Sequence, residues 1–337
     1  MRPIAKVLLI LAVCLGAPRI EFGCAGTVAP LRVILDADLD SDVDDVGALA
    51  MLMNLHSRGL IELIGVVITS DDPFAPGCAR VLLDHFGTKE IPIGFLKNQS
   101  RLTQHSRYTR KLVEEFSVTP MAWQSAEDAA LLYRKLLADS PDASVALITI
   151  GHLSSLQALL QSAPDAYSQL TGIDLAHQKI RRWICMGGQY PSGKEANFYR
   201  PDPASTLYCL EHWRGSALFC GWEAGNPILT GGSRLKELLP SRHPVYRAYQ
   251  LYNDFHGRQS WDQLAVLQLL PIAEELFSRT RGRCVVAPDG SNHWQDDPAG
   301  NHQYIELPPD PAEYSRIAEM IDHLMAGEMP CGPGFHP

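Results

Sequence analysis

The sequence predicts an α/β fold: an open, mostly parallel sheet flanked by helices, in a single domain. Three observations carry this. Strand-like apolar runs alternate with amphipathic stretches along the chain, the pattern of parallel βαβ units with helices on both faces. No internal repeat or low-complexity linker divides the 337 residues, and a chain of that length fits one large domain. An acidic run follows directly on the first strand-like segment, the place where open α/β sheets bind ligands.

The elements follow in order. Residues 32–36 form a strand-like run that ends in Asp36. A helix over 44–57 follows, apolar from Val46 to Leu55. A second strand spans 62–68 and a helix spans 75–86. The proline of IPIG (91–94) marks a short edge or turn segment. A helix over 126–138 precedes the strand 145–150, and a helix over 153–162 precedes the strand 180–186. Next come a helix over 203–213 and a strand over 216–220. Helices over 233–239, 243–254 and 261–276, a strand over 283–287 and a helix over 311–326 complete the reading. The ends of the parallel strands then share one rim. Residues Asp36–Asp45, Thr69–Asp72, Ile150–Gly151, Met186–Asn197 and Gly221–Gly225 converge there.

Composition narrows the function. The net charge is −9, and no basic run with interleaved aromatics occurs. Both observations argue against a nucleic-acid partner. At the amino terminus Arg2 and Lys6 precede an apolar run, Val7 to Leu15, followed by small residues. That is the order of a secretory signal, and the run is too short for a membrane span. The expected division is a leader at 1–25, a domain at 30–328 and a tail at 329–337. Export, to a periplasm or outside the cell, follows from the leader. Removing it leaves Cys78, Cys185, Cys209, Cys220, Cys284 and Cys331, an even count that permits disulfides. Cys185 and Cys220 lie in apolar strand-like runs and read as core thiols. None has zinc-ligand spacing. The sequence leaves homo-oligomerisation open.

The acidic run is VILDADLDSDVDDVGALA, residues 33–50. Six carboxylates, Asp36, Asp38, Asp40, Asp42, Asp44 and Asp45, fall within ten residues. Capping a helix takes one or two Asp, not six. Crowding of this kind calls for a hard cation such as Ca²⁺ or Mg²⁺, which takes carboxylate oxygens. An EF-hand loop needs Gly at its sixth position and Glu at its twelfth. Counting from Asp36 or from Asp38 fails at both. Asp36 and Asp38 have the Asp-x-Asp spacing of aspartyl-phosphate phosphatases, but Asp40 stands where Thr or Val belongs.

The run resembles instead the amino-terminal motif of the inosine–uridine preferring nucleoside hydrolases, in a branch with a longer Asp-rich turn. LIGVVITSDDP (60–73), ALITIGHLSSL (146–156), MGGQYPSGKEANFYRPDP (186–203), GWEAGNPILTGG (221–232) and SWDQLAVL (260–267) resemble further segments of that family, in family order. The resemblance implies a Rossmann-like nucleoside hydrolase fold and a Ca²⁺-dependent N-glycosidase acting on a small-molecule nucleoside or related N-riboside. It implies that Asp38, Asp44 or Asp45 or both, Asp262 and the carbonyl of Ile150 hold the metal. The longer turn leaves the register open, so Asp42 is a further candidate ligand. Asp38 becomes the candidate base, taking a proton from the water that attacks the anomeric carbon through an oxocarbenium-like transition state. Glu195 and Asn197 match the segment that holds ribose hydroxyls. Glu223 and Asp71 are further substrate-contact candidates. Asp36 reads equally as a strand-end carboxylate bonded to local amides.

One position departs from the family. Trp261 stands where many relatives have His before the carboxy-terminal Asp, and that His is often assigned to protonate the leaving base. Trp is no acid at neutral pH, but it can stack on a base ring. Candidates for the missing acid are His256, Tyr252, Tyr199, His152 or water. The loss of the acid also admits a non-catalytic, Ca²⁺-dependent nucleoside- or ribose-binding protein.

Overall fold

The computed structural model describes residues 29–97 and 102–329. The expected leader, Cys331 and nearly all of the expected tail lie outside them. The strands in chain order are β1 (Leu31–Ala37), β2 (Ile61–Ile68), β3 (Ile93–Phe95), β4 (Glu127–Asp128), β5 (Val145–Thr149), β6 (Ile180–Met186), β7 (Ser192–Gly193), β8 (Ala217–Cys220), β9 (Leu229–Thr230), β10 (Arg258–Gln259), β11 (Ser278–Val286), β12 (Asn292–Asp296) and β13 (His302–Glu306). Eleven of them form one sheet, in the order β4-β3-β2-β1-β5-β6-β8-β13-β11-β12-β7. From β4 to β13 every neighbour is parallel. The far edge, β11, β12 and β7, is antiparallel. β9 and β10 make a separate antiparallel hairpin.

Side-chain alternation in β1 sets two core layers. Val33, Leu35 and Ala37 enter one layer and Ile34 the other. The first layer holds the helix Asp44–Ser57, which is buried at every position from Asp44 to Met53. A helix buried all round has no polar face, so it reads as a continuous apolar run. The second layer centres on Trp183, packed against Trp213 and Phe219. Among the described residues no helix is long and apolar enough to cross a membrane. The five described cysteines are free and buried.

The structure corrects several expected boundaries. The helix expected over 261–276 is two, Trp261–Leu267 and Ile272–Leu276. Pro271 separates them, because its ring and missing N–H cannot continue a helix. The helix expected from 126 begins at Ala129, where the Asp128 carboxylate accepts from the N–H groups of Ala130 and Leu131. The proline segment is β3, one place in from the edge. The last expected strand, 283–287, is β11 and starts five residues earlier. The helix Gly172–Lys179 and the polar strands β12 and β13 have no counterpart in the sequence reading.

Candidate active site

The carboxyl end of β1 supplies the site's frame. Ala37 O accepts from Thr69 N at 2.9 Å, and Asp36 O accepts from Ile150 N at 2.8 Å. The ends of β2 and β5 are thereby fixed to β1. Gly151 is required here, since a Cβ at that position would lie 2.9 Å from Asp38 N. The chain then turns through Leu39, at φ +44°. Its N–H donates to Asp45 Oδ1 at 3.0 Å, which ties the turn to the first turn of the helix Asp44–Ser57. Acidic residues there also complement the helix dipole.

The turn gathers charge. Asp42, Asp44 and Asp45 offer oxygens that lie within 4.8 Å of one another. Burial raises the Asp44, Asp45 and Asp262 carboxyls well above the usual range, and neighbouring carboxylates raise them further. Burial, then Asp42, pushes Asp38 up to about 7. The structure therefore brings Asp38, Asp42, Asp44, Asp45 and Asp262 close enough to act on one another. Asp44 Oδ1 and Asp45 Oδ2 are buried without a hydrogen-bond partner, as are Asp36 Oδ1 and Asp40 Oδ1. Unpartnered buried carboxylate oxygens fit a hard cation, so these residues could hold a divalent metal. Asp36 is partly engaged elsewhere. Tyr133 donates its O–H to Asp36 Oδ2 at 2.6 Å.

The sugar-contact candidates stand on the same rim. Glu195 is buried and accepts from Gly188 N at 3.0 Å and Asn197 N at 2.9 Å. Burial pushes its carboxyl up to about 7. Asn197 Nδ2 donates to Ile150 O at 3.1 Å, which joins the two motifs directly. Glu223 accepts from Tyr190 N at 2.9 Å and keeps Oε1 buried without a partner. Trp261 donates its indole N–H to Trp222 O at 2.8 Å, next to Glu223.

Asp71 stands apart from the metal group. Its carboxylate lies 3.7 Å from His105 Nε2, and with Asp40 the three form a second cluster within 4.8 Å. His152 is buried, hydrogen-bonded through Nδ1 to Ser154 Oγ at 3.0 Å. Burial lowers its pKa to about 4, so at neutral pH it holds no proton to give as imidazolium. Tyr199 is flanked by Lys194 and Arg200, each 5.3 Å from its ring. His256 is exposed beside Asn253.

Four neighbours of the acidic turn are absent from the sequence reading. They are His105, Tyr108, which donates to Asp42 O at 2.6 Å, Tyr133, and Arg258, which forms an ion pair with Asp42. Arg258 alone had a readable signal: a cation three residues before Trp261 in a chain with so much negative charge to balance.

Comparison with known proteins gives the family and the shared fold. A sequence profile described as inosine-uridine preferring nucleoside hydrolase matches residues 33–306. No curated protein sequence matches the chain. Among solved structures, a plant nucleoside hydrolase (the PpNRh1 enzyme) superposes with a TM-score of 0.64 at 17% identity, covering 88% of this chain and 99% of that one. A purine-preferring ribonucleoside hydrolase from Gardnerella vaginalis gives 0.65 at 15%, over 88% and 99%. An inosine-guanosine nucleoside hydrolase gives 0.62 at 15%, over 89% and 98%. These likenesses establish the shared fold. The profile match removes the phosphatase reading. The chain belongs to the inosine–uridine preferring nucleoside hydrolase family, and is a hydrolase acting on N-glycosyl bonds.

Proposed function

We propose that the protein is a Ca²⁺-dependent N-glycosidase that releases the free base from ribonucleosides or a related N-riboside. The observation that carries this is the set of unpartnered, buried carboxylate oxygens at the end of β1, beside Asp38 and the ribose-contact candidates. Asp38, Asp45, Asp262 and Ile150 O would hold the ion, with Asp44 and Asp42 as further ligands. The ion supplies counter-charge and polarises water and sugar hydroxyls. Asp38 then takes the proton from the attacking water. Glu195 and Asn197, with Glu223 and Asp71, orient the sugar. Holding the sugar in place converts binding energy into rate.

Trp261 offers an aromatic face to the leaving base. Stacking there holds the base but donates no proton, so the base leaves unprotonated or takes its proton from water or from another residue. The leader expected at 1–25 places this activity in a periplasm or outside the cell. A panel of purine and pyrimidine nucleosides, assayed for base release with Ca²⁺ and with chelator, tests the reading. Release that depends on Ca²⁺ supports it. Tight nucleoside binding with no release would favour the non-catalytic binding protein instead.

A further inference from the structure

Arg258 sits in β10, paired with Thr230 of β9. Its guanidinium forms an ion pair with Asp42, and its Nε lies 3.9 Å from Asp44 Oδ1. Both of those last atoms are buried and lack a hydrogen-bond partner, so the attraction between them is Coulombic. The same guanidinium lies 4.7 Å from the centre of the Trp261 ring and 5.9 Å from that of Tyr252. One fixed positive charge therefore touches two of the three clustered carboxylates and one face of the tryptophan that precedes Asp262. Among the described residues, Arg258 is the only cation ion-paired with Asp38, Asp42, Asp44, Asp45 or Asp262.

We propose that Arg258 is a built-in cation of the acidic turn, which opposes a divalent ion there and couples its binding to the Trp261 ring. This rests on the metal reading of the proposed function. The physics has a definite sign. Like charges a few ångströms apart in a partly desolvated site repel strongly, so the guanidinium weakens ion binding. An ion that draws Asp42 and Asp44 toward itself loosens their hold on Arg258. The guanidinium keeps the indole face as its remaining partner, and a cation over an indole is attracted to it. Ion occupancy should therefore alter the environment of Trp261. Arg258 is thus a positioning residue, acting on the leaving-base platform through Trp261.

The test needs no substrate. Ca²⁺ alone is titrated into the purified protein by calorimetry and by tryptophan emission, with Trp261→Phe identifying the Trp261 signal. Arg258→Gln should bind Ca²⁺ about tenfold or more tightly than wild type, as removal of a nearby like charge requires. It should also lose the Ca²⁺-dependent change in Trp261 emission. Arg258→Lys keeps the charge but not the planar fork. It should stay within about threefold of wild-type affinity while its emission change falls. Should Arg258→Gln fail to fold, the lysine variant decides alone, and an unchanged emission response in it overturns the proposal. Equal or weaker Ca²⁺ binding by Arg258→Gln overturns the proposal and leaves the metal reading standing. Binding by Arg258→Gln but not by wild type supports it. Absence of binding in both overturns it together with the metal reading.

Discussion

Asp45→Asn should have opposite effects on stability with and without metal. Asp45 is fully buried, and its carboxylate lies within 4.8 Å of those of Asp42 and Asp44. At an effective dielectric constant of about 20, one such pair costs about 3.5 kcal/mol or more when both members are charged. Shared protonation and the Arg258 charge reduce this, which leaves about 1–3 kcal/mol to be gained by removing one charge. Asn keeps an oxygen for Leu39 N, so the 3.0 Å hydrogen bond from that backbone group can survive. In chelator the variant should therefore melt roughly 2–6 °C above wild type. The pH dependence carries the same sign. Burial raises the Asp45 carboxyl in the folded state. Its protonated form is thus favoured by folding, and stability is lost as pH rises above the ordinary carboxylate range. The gain from Asn should vanish at about pH 3. In saturating Ca²⁺ the order should reverse, because a ligand at about 100-fold its Kd adds about 2.7 kcal/mol that the variant forgoes. Differential scanning fluorimetry in chelator and in Ca²⁺ measures both arms. A variant that melts below wild type in chelator refutes the carboxylate-crowding argument.

Two further outcomes are expected, one at His302 and one at Trp261. His302 is buried, its Nδ1 accepts from Cys284 N at 3.2 Å, and burial holds its pKa down at about 4. Its contribution is full above about pH 6.5 and is lost as pH falls toward 4, up to about 3 kcal/mol; His302→Gln should flatten the decline in melting temperature over that window, and an unchanged slope contradicts the assignment. Without an imidazole at Trp261, nitrophenyl riboside should be hydrolysed far faster than inosine, since a missing general acid costs about 10²–10⁴ in rate. Trp261→His should narrow that ratio, and equal wild-type rates on the two substrates would show that a second acid operates.

The sequence made the parallel half of the sheet legible because its strands are buried on both faces and read as unbroken apolar runs. β1, β2, β5, β6 and β8 were all placed within a residue or so. The antiparallel edge was legible only in the second half of β11. β12 is largely exposed, with Asn292 its one buried residue, and β7 has two residues. Neither has an apolar period to detect. The helix Gly172–Lys179 was missed because it is short and mixed in polarity, and its start depends on the Thr171 cap. In the site, residues adjacent in sequence were found, since the acidic run declares itself. Distant residues inside a family-like segment, such as Asp262 and Asn197, were named; distant residues outside one were not. Tyr133 reaches Asp36 across 97 positions and Arg258 reaches Asp42 across 216. Such pairs are made by the order of strands, which local spacing does not encode.

Ribose release from a nucleoside at saturating Ca²⁺, compared between wild type and Asp38→Asn, tests whether Asp38 is the base of a Ca²⁺-dependent hydrolase. The wild type should turn over and lose that turnover in chelator, and the variant should fall by about 10²–10⁴, the usual contribution of a positioned acid or base. Unchanged folding and unchanged nucleoside binding in the variant would place the loss in the chemical step. Hydrolysis by Asp38→Asn at the wild-type rate, or by wild type at full rate in chelator, would contradict that role.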